Sequence, residues 1–378
     1  MKILIAADKF KGSLTSFEAC NEIADGILLV NDNAEVLVFP MADGGEGFAA
    51  VLKYYLQTQT ITCKTVDPLM RQMDATYEWD SKTKVAIIEL AAASGLLLLS
   101  GDERNPLKTS TFGTGILIQH AINAGAKKII LGIGGSATND AGMGILAALG
   151  FKFLDDDGKE INCVGGGLQY LYSIVQPDNL PKFHFEIACD VTNVLFGLDG
   201  AAYVYGLQKG ATKNDIIVLD NGLQNFAKVV QKQTLKDIAC FPGAGAAGGV
   251  AAGLMAYFEV SIKAGAEMIL KQSAMSTHIK EADLIITGEG MLDNQSLYGK
   301  VIGVVASLAK QQQIPVIALC GKLTIDKKQI KKMGLLTAYS ITDDGTNNMD
   351  AINNAGALLK KLTEKAFEAF IHLSKHDS

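Results

Sequence analysis

Two hydrophobic runs with a helix signal between them constrain this chain more than any other feature. ILIAA (residues 3–7) and EVLVF (35–39) are bounded by polar or turn residues, the pattern of strands covered on both faces of a parallel sheet. Between them, Thr15 and Glu18 have the S/T-x-x-E spacing of a capping box, and Phe17, Cys20, Ile23, Ala24, Ile27 and Leu28 recur with helical period. A strand, a helix and a second parallel strand close in one handedness, as a right-handed crossover. The C-terminal third repeats the grammar with DLIITGEG (283–290), a helix through GKVIGVVASLAKQQQ, then PVIALCG (315–321), LTAYSIT (336–342) and a closing helix from Asp350 to Leu373. These segments predict a discontinuous, doubly wound α/β domain over residues 1–62 and 282–378, with about five strands.

Residues 63–281 have another texture. VAIIEL (85–90), KIILGIG (128–134) and FHFEIACD (183–190) read as strands joined by long glycine-rich loops. The prediction is a second α/β domain inserted into the first, with ligands taken in the interdomain cleft at the carboxyl ends of the strands. At 378 residues the chain has room for both.

Polar and glycine residues collect after the predicted strand ends. DKFKGS (8–13) places Lys9, Lys11 and Ser13 before a helix start, where an anion can be held, although lysines beside a helix start also occur as plain surface. PMADGGEG (40–47) carries Asp43 and Glu46 among three glycines, suited to a ligand, to Mg²⁺ or to an ordinary Asp-Gly turn. GIGGSATNDAGMG (132–144) offers Ser136, Thr138, Asn139 and a run of backbone amides that can cradle phosphate. ACDVTN (188–193) puts Asp190 at a strand end, GLQKGA (206–211) adds Lys209, and TGEGMLDNQSLYGK (287–300) adds Glu289, Asp293, Gln295 and Lys300. Several such loops at strand ends point to one shared site. Lysines, glycine loops and acids together suit phosphoryl transfer, in which the protein positions reactants and neutralises charge.

Other classes fit less well. A formal net charge of −6 argues against nucleic acid as a partner. The six cysteines form no C-x-x-C pair and read as reduced core residues of a cytoplasmic protein, and no apolar run approaches the roughly 20 residues of a membrane span. The five histidines lack zinc-ligand spacing, G-x-S-x-G is absent, and no G-x-x-x-x-G-K-[ST] marks a P-loop. Gly243, Gly245 and Gly248 in FPGAGAAGG do spell G-x-G-x-x-G, with Glu267 about 20 residues beyond. Only IACF precedes them, Pro242 stands where the tight turn should begin, and the segment lies deep in the inserted domain. The glycines therefore read as a turn that lets backbone approach closely, either to a ligand or to neighbouring chain.

The ordered motifs DKFKGSLTS, PMADGGEGF, IELAAASGL, RNPLKTSTFGTG, GGSATNDAGMG, ACDVTN, QKGA, GAGAAGG and GEGMLDNQSLYGK cover nearly the whole chain. Through them it resembles the class I glycerate kinases, which transfer phosphate from ATP to D-glycerate, usually onto the 2-hydroxyl. The resemblance implies a flavodoxin-like domain with a second α/β domain inserted, and ATP with Mg²⁺ as cofactors. It implies that Arg71, with Lys9 or Lys11, holds the glycerate carboxylate and that Asp190 accepts the hydroxyl proton. Asp43 and Ser136 belong with the substrate, and Thr138, Asn139, Lys209, Glu289 and Asp293 with the nucleotide and its phosphates. Asp43 and Asp293 are candidates for Mg²⁺. Phosphorylation at the 3-hydroxyl, another small hydroxy acid as acceptor, and a ligand-binding sensor remain alternatives, and oligomeric state is not legible. The chain departs from the family pattern at Met70 and Ala141, where glycine is usual, and at Val194 and Leu207, where proline is.

Overall fold

The computed structural model describes residues 1–180, 182–293, 300–344 and 348–376; Gln295 lies outside them. The chain runs through β1 (Lys2–Ala7), a helix Ser16–Val30, β2 (Glu35–Val38), a helix Phe48–Leu56, β3 (Gln59–Val66), β4 (Gln72–Asp80) and β5 (Val85–Glu89). It continues through β6 (Lys128–Gly132), β7 (Lys152–Leu154), β8 (Ser173–Val175), β9 (His184–Ala188) and β10 (Glu259–Lys263), and ends with β11 (Leu284–Leu292), β12 (Val316–Leu323), β13 (Thr337–Ser340) and a closing helix Ala355–His376.

Two compact units result, Met1–Asp43 with Ala264–Ser378, and Gly44–Lys263. The expected limits at 62/63 and 281/282 fall elsewhere, for a packing reason. Helix Phe48–Leu56 buries Phe48, Val51 and Leu52 and packs against β4 and β5, so it belongs to the second unit. Helix Gly265–Gln272 packs against helix Val301–Gln312 and so belongs to the first.

The first unit is a five-stranded sheet in the order β13-β12-β11-β1-β2, parallel throughout. Its strands are apolar on both faces because both are covered: Ile3, Leu4 and Ile5 are fully buried. Helix Ser16–Val30 begins as its sequence predicts, with Thr15 Oγ1 accepting from Glu18 N at 3.2 Å and Glu18 Oε2 accepting from Thr15 N at 2.8 Å. Its inner face, Ile23 and Ile27, joins Ile286, Leu319 and Phe367 in one core. Thr15→Ala should cost about 1 kcal/mol of stability, because Glu18 N loses its acceptor and Glu18 Oε2 loses the hydroxyl that also donates to it; an unchanged denaturant midpoint would show that the Thr15 hydroxyl contributes nothing.

The second unit has a six-stranded sheet in the order β10-β9-β6-β5-β4-β3, with β4 antiparallel to both of its neighbours and the rest parallel. A small antiparallel hairpin, β7–β8, lies apart from it. Tyr77, Ile129, Leu131, Phe185 and Ile187 lie in the core around the large sheet. The six cysteines form no disulfide, and Cys240 is exposed rather than in the core. Among the described residues no helix is long and apolar enough to cross a membrane.

Candidate active site

The loops after β1, β2, β6 and β9 leave the carboxyl ends of parallel strands, whereas the expected strand end before Lys209 is a helix, Ala201–Tyr205, and Glu289 lies within β11. In the first unit, Asp8 follows β1 directly and its amide donates to Gly288 O of β11 at 2.8 Å. Lys9 Nζ donates to Asp43 Oδ1 at 3.1 Å and stands 3.9 Å from Asp8 Oδ1, so a lysine and two carboxylates meet at the ends of neighbouring strands. Glu289, 5% exposed within β11, adds a third acid whose charge acts on Asp8. Burial, then the charge of Asp43, pushes the Asp8 carboxyl up to about 7. Sequence reasoning passed over Asp8 for the two lysines after it; its signal was an acid ending a fully apolar strand.

Lys11 is exposed, and Ser13 Oγ donates to Phe10 O at 3.0 Å within its own turn. The start of the following helix is already served by Thr15 and places the Glu18 carboxylate at its first turn. An anion beside this loop would therefore rely on the lysines rather than on helix amides. Asp293 is half-buried, 4.0 Å from Lys300 Nζ. Among the described residues no group of three or more His, Cys, Asp or Glu side chains could hold a metal ion, so Asp43 and Asp293 form no such group with their neighbours.

In the second unit the loop 44–47 and the loop after β6 approach closely. Gly134 N donates to Gly44 O at 3.3 Å, and a Cβ placed on Gly134 would stand 2.5 Å from Gly45 Cα. The 134–144 loop is pinned at both sides. Leu96 N donates to Gly135 O at 2.8 Å, Ala137 N to Ser94 O at 2.9 Å, and Thr109 Oγ1 to Ala137 O at 2.9 Å. Asp140, wholly buried, accepts from Thr111 N and Thr111 Oγ1, both at 2.8 Å, and from Gly142 N and Gly144 N, both at 3.2 Å. Burial pushes its carboxyl up while these donors pull it back. Asp140 was also missed, because its place inside GGSATND gave no hint that it is the knot between two loops.

Ser136 is 7% exposed, and Thr138 and Asn139 are fully buried. Lys209 points inward: its Nζ donates to Ser136 Oγ at 2.8 Å and to Thr138 O at 2.7 Å. Thr138 Oγ1 and both amide atoms of Asn139 find no hydrogen-bond partner among the described residues. Such atoms each cost about 1–3 kcal/mol when nothing satisfies them, which marks a place where water or a ligand group is expected.

Asp190 lies half-buried two residues beyond β9. Its neighbour Cys189 donates to Val191 O, and burial pushes that thiol up to about 11, so it is no competing nucleophile. Arg71 lies on the turn between β3 and β4. Its Nε donates to Asp67 Oδ2 and its Nη1 to Glu103 Oε1, both at 2.5 Å, and the side chain is half exposed. Each bidentate edge of the guanidinium thus already gives one nitrogen to a protein carboxylate.

The sequence profile of the glycerate kinase family matches residues 3–371. The chain belongs to that family. A glycerate kinase of Halalkalibacterium halodurans is 41% identical over 363 residues, covering 95% of each chain. A glycerate 2-kinase of Escherichia coli K12 is 41% identical over 350 residues, covering 92% of each. A crystal structure from Salmonella typhimurium LT2, assigned as a glycerate kinase 2, superposes with a TM-score of 0.82 at 37% identity over 99% of both chains. Two positions where this member departs from the family pattern sit in left-handed backbone, Met70 at φ 67° and Ala141 at φ 53°. That conformation costs a residue with a Cβ about 1–2 kcal/mol, which accounts for glycine as the usual choice there.

Proposed function

We propose that this chain transfers the terminal phosphoryl group of ATP to D-glycerate, at the 2-hydroxyl. The observation that carries the reading is identity of 41% with a glycerate 2-kinase over 92% of both chains. It is supported by loops at the strand ends rich in amides, lysines and carboxylates. The first unit is read as flavodoxin-like, supported by its strand order, which is 2-1-3-4-5 when its own strands are counted in sequence. The second is then an α/β domain inserted into it.

In this reading Asp190 accepts the proton of the attacking hydroxyl, since a strand-end carboxylate can sit within hydrogen-bond reach of a bound alcohol. Arg71, with Lys9 or Lys11, holds the glycerate carboxylate, with Asp43 and Ser136 orienting its hydroxyls. The 134–144 loop with Thr138 and Asn139, together with Lys209, Glu289 and Asp293, belongs to the nucleotide side. Mg²⁺ would arrive with ATP and neutralise phosphate charge, with Asp43 or Asp293 as the carboxylate nearest it; such ions take one or two protein carboxylates and phosphate oxygens rather than a full protein cage.

The test is ADP release from ATP with D-glycerate, with phosphorus NMR of the product. Formation of 2-phosphoglycerate is expected, and no glycerate-dependent ADP release would end the proposal. Arg71→Ala should raise KM for glycerate about 10- to 100-fold with kcat little changed, the loss of a charged hydrogen-bonding pair. An unchanged KM would leave Arg71 to its two protein carboxylates.

A further inference from the structure

We infer that Lys209 is a positioning residue that acts through Ser136: by donating into Ser136 Oγ, it leaves that hydroxyl's one proton to be given to an anionic oxygen of the bound reactants. The inference rests on the kinase reading above and assigns Lys209 a role other than direct contact with phosphate.

The argument begins with hydrogen-bond capacity. An ammonium can only donate, whereas a serine hydroxyl donates once and accepts twice. With Lys209 Nζ 2.8 Å from Ser136 Oγ, the serine must be the acceptor, and its own proton faces elsewhere. The backbone that carries the serine is held in place. Its backbone is bridged to Gly95, and the flanking bonds Leu96 N to Gly135 O and Ala137 N to Ser94 O fix both sides. Lys209 is fixed too, because Thr138 O takes a second of its protons at 2.7 Å and the side chain is 3% exposed. The recipient is a carboxylate of glycerate or a phosphate of ATP, since both present the same anionic oxygen.

Burial disfavours the ammonium and lowers Lys209 to about 7, against the opposing pull of Asp140. Asp140 is the carboxylate acting on it, itself held by Thr111, Gly142 and Gly144; Arg104 lies on the stretch packed against the next residue, Gly210. When Nζ loses its proton it gains a lone pair, and Ser136 can turn its proton inward to it. The donor offered to the ligand is then withdrawn. Binding of one reactant should weaken as pH rises through about 7.

KM for glycerate and KM for ATP are measured from pH 6 to 9 for the wild type, Ser136→Ala, Lys209→Arg and the double variant Lys209→Met/Ser136→Ala, with calorimetric binding of glycerate and of ATP over the same range. One wild-type KM is expected to rise about tenfold or more across the range; whether it is that of glycerate or of ATP identifies the oxygen served. Ser136→Ala should carry the raised value already at pH 6 and lose the rise. Lys209→Arg, a cation that only donates at every pH used, should keep the low value throughout. The double variant should add little to Ser136→Ala, because the lysine acts through the serine. A pH rise that persists in Ser136→Ala, or additive losses in the double variant, overturns the inference. Should Lys209→Arg fail to fold, Ser136→Ala, which removes a single oxygen, decides alone. Absence of glycerate turnover with pH-dependent binding retained would sink the kinase reading and leave this one standing.

Discussion

Asp190→Asn is expected to lower turnover of glycerate with ATP by about two to four orders of magnitude, the usual contribution of a positioned general base, with KM values changed only a few-fold. The substitution is isosteric and removes the proton-accepting charge while keeping the side chain's shape. The proposed reading gives the base to Asp190, and three buried acids of the same unit have structural duties. Asp140 accepts four donors, Asp67 holds Arg71 and the amides of Leu69 and Arg71, and Glu186 pairs with Lys128 and Lys263. None of these three can be reprotonated in each cycle without loosening the loop or sheet it ties. Near-normal turnover by Asp190→Asn, in protein with an unaltered circular dichroism spectrum, would return the base to the first unit, where Asp8 is poised at about 7.

Much of the fold was legible because parallel strands covered on both faces must be apolar throughout, and that pattern is local. ILIAA, EVLVF and VAIIEL needed no partner to be recognised, and Thr15 with Glu18 marked a helix start that the structure reproduces to the residue. The hairpin β3–β4 was not read. QTITCKTV and QMDATYEWD are rich in polar residues because alternate side chains face solvent, and no continuous apolar run announces them. Missing that hairpin also moved the expected domain boundary into β3.

The positions of the polar loops were more legible than the directions of their side chains. The loops after β1, β2, β6 and β9 were placed at their strand ends, since strand runs and glycine clusters are written in neighbouring residues, whereas Lys209 follows helix Ala201–Tyr205 and Glu289 lies inside β11. Whether a lysine in such a loop faces ligand or interior depends on residues far away in sequence. Lys209 lies 73 residues from the serine it serves, and QKGA reads the same either way. Arg71 shows the same limit: the arginine was found, and its engagement by Glu103, 32 residues on, was not.

Gly248→Ala is expected to destabilise the protein by about 2–4 kcal/mol, lowering Tm by roughly 5–15 °C, and to cut activity further than that loss explains. A Cβ on Gly248 would stand 2.2 Å from Thr138 O and 2.5 Å from Asn139 Cα, and the residue's φ of +73° already disfavours any side chain. Gly245 is as tight, with a Cβ meeting Val194 O at 2.1 Å, while its amide donates to Asn193 O at 2.9 Å. Gly248 O accepts from Ala141 N at 2.9 Å. The G-x-G-x-x-G spelling is thus a seam: its glycines bring backbone against backbone, joining the loop that carries Asp190 to the loop that carries Thr138 and Asn139. The packing alternative is the one these contacts support, and a dinucleotide is not needed to explain the spacing. Gly197→Ala is the control, because Gly197 has a φ of +89° and nothing within 4 Å of its Cβ position, so it reports backbone strain alone, about 1–2 kcal/mol. Equal losses in the two variants would mean that the close contacts of Gly248 contribute nothing. A larger loss in Gly248→Ala, with kcat for glycerate falling at temperatures where the protein stays folded, is the outcome that a seam between two loops of the proposed site requires.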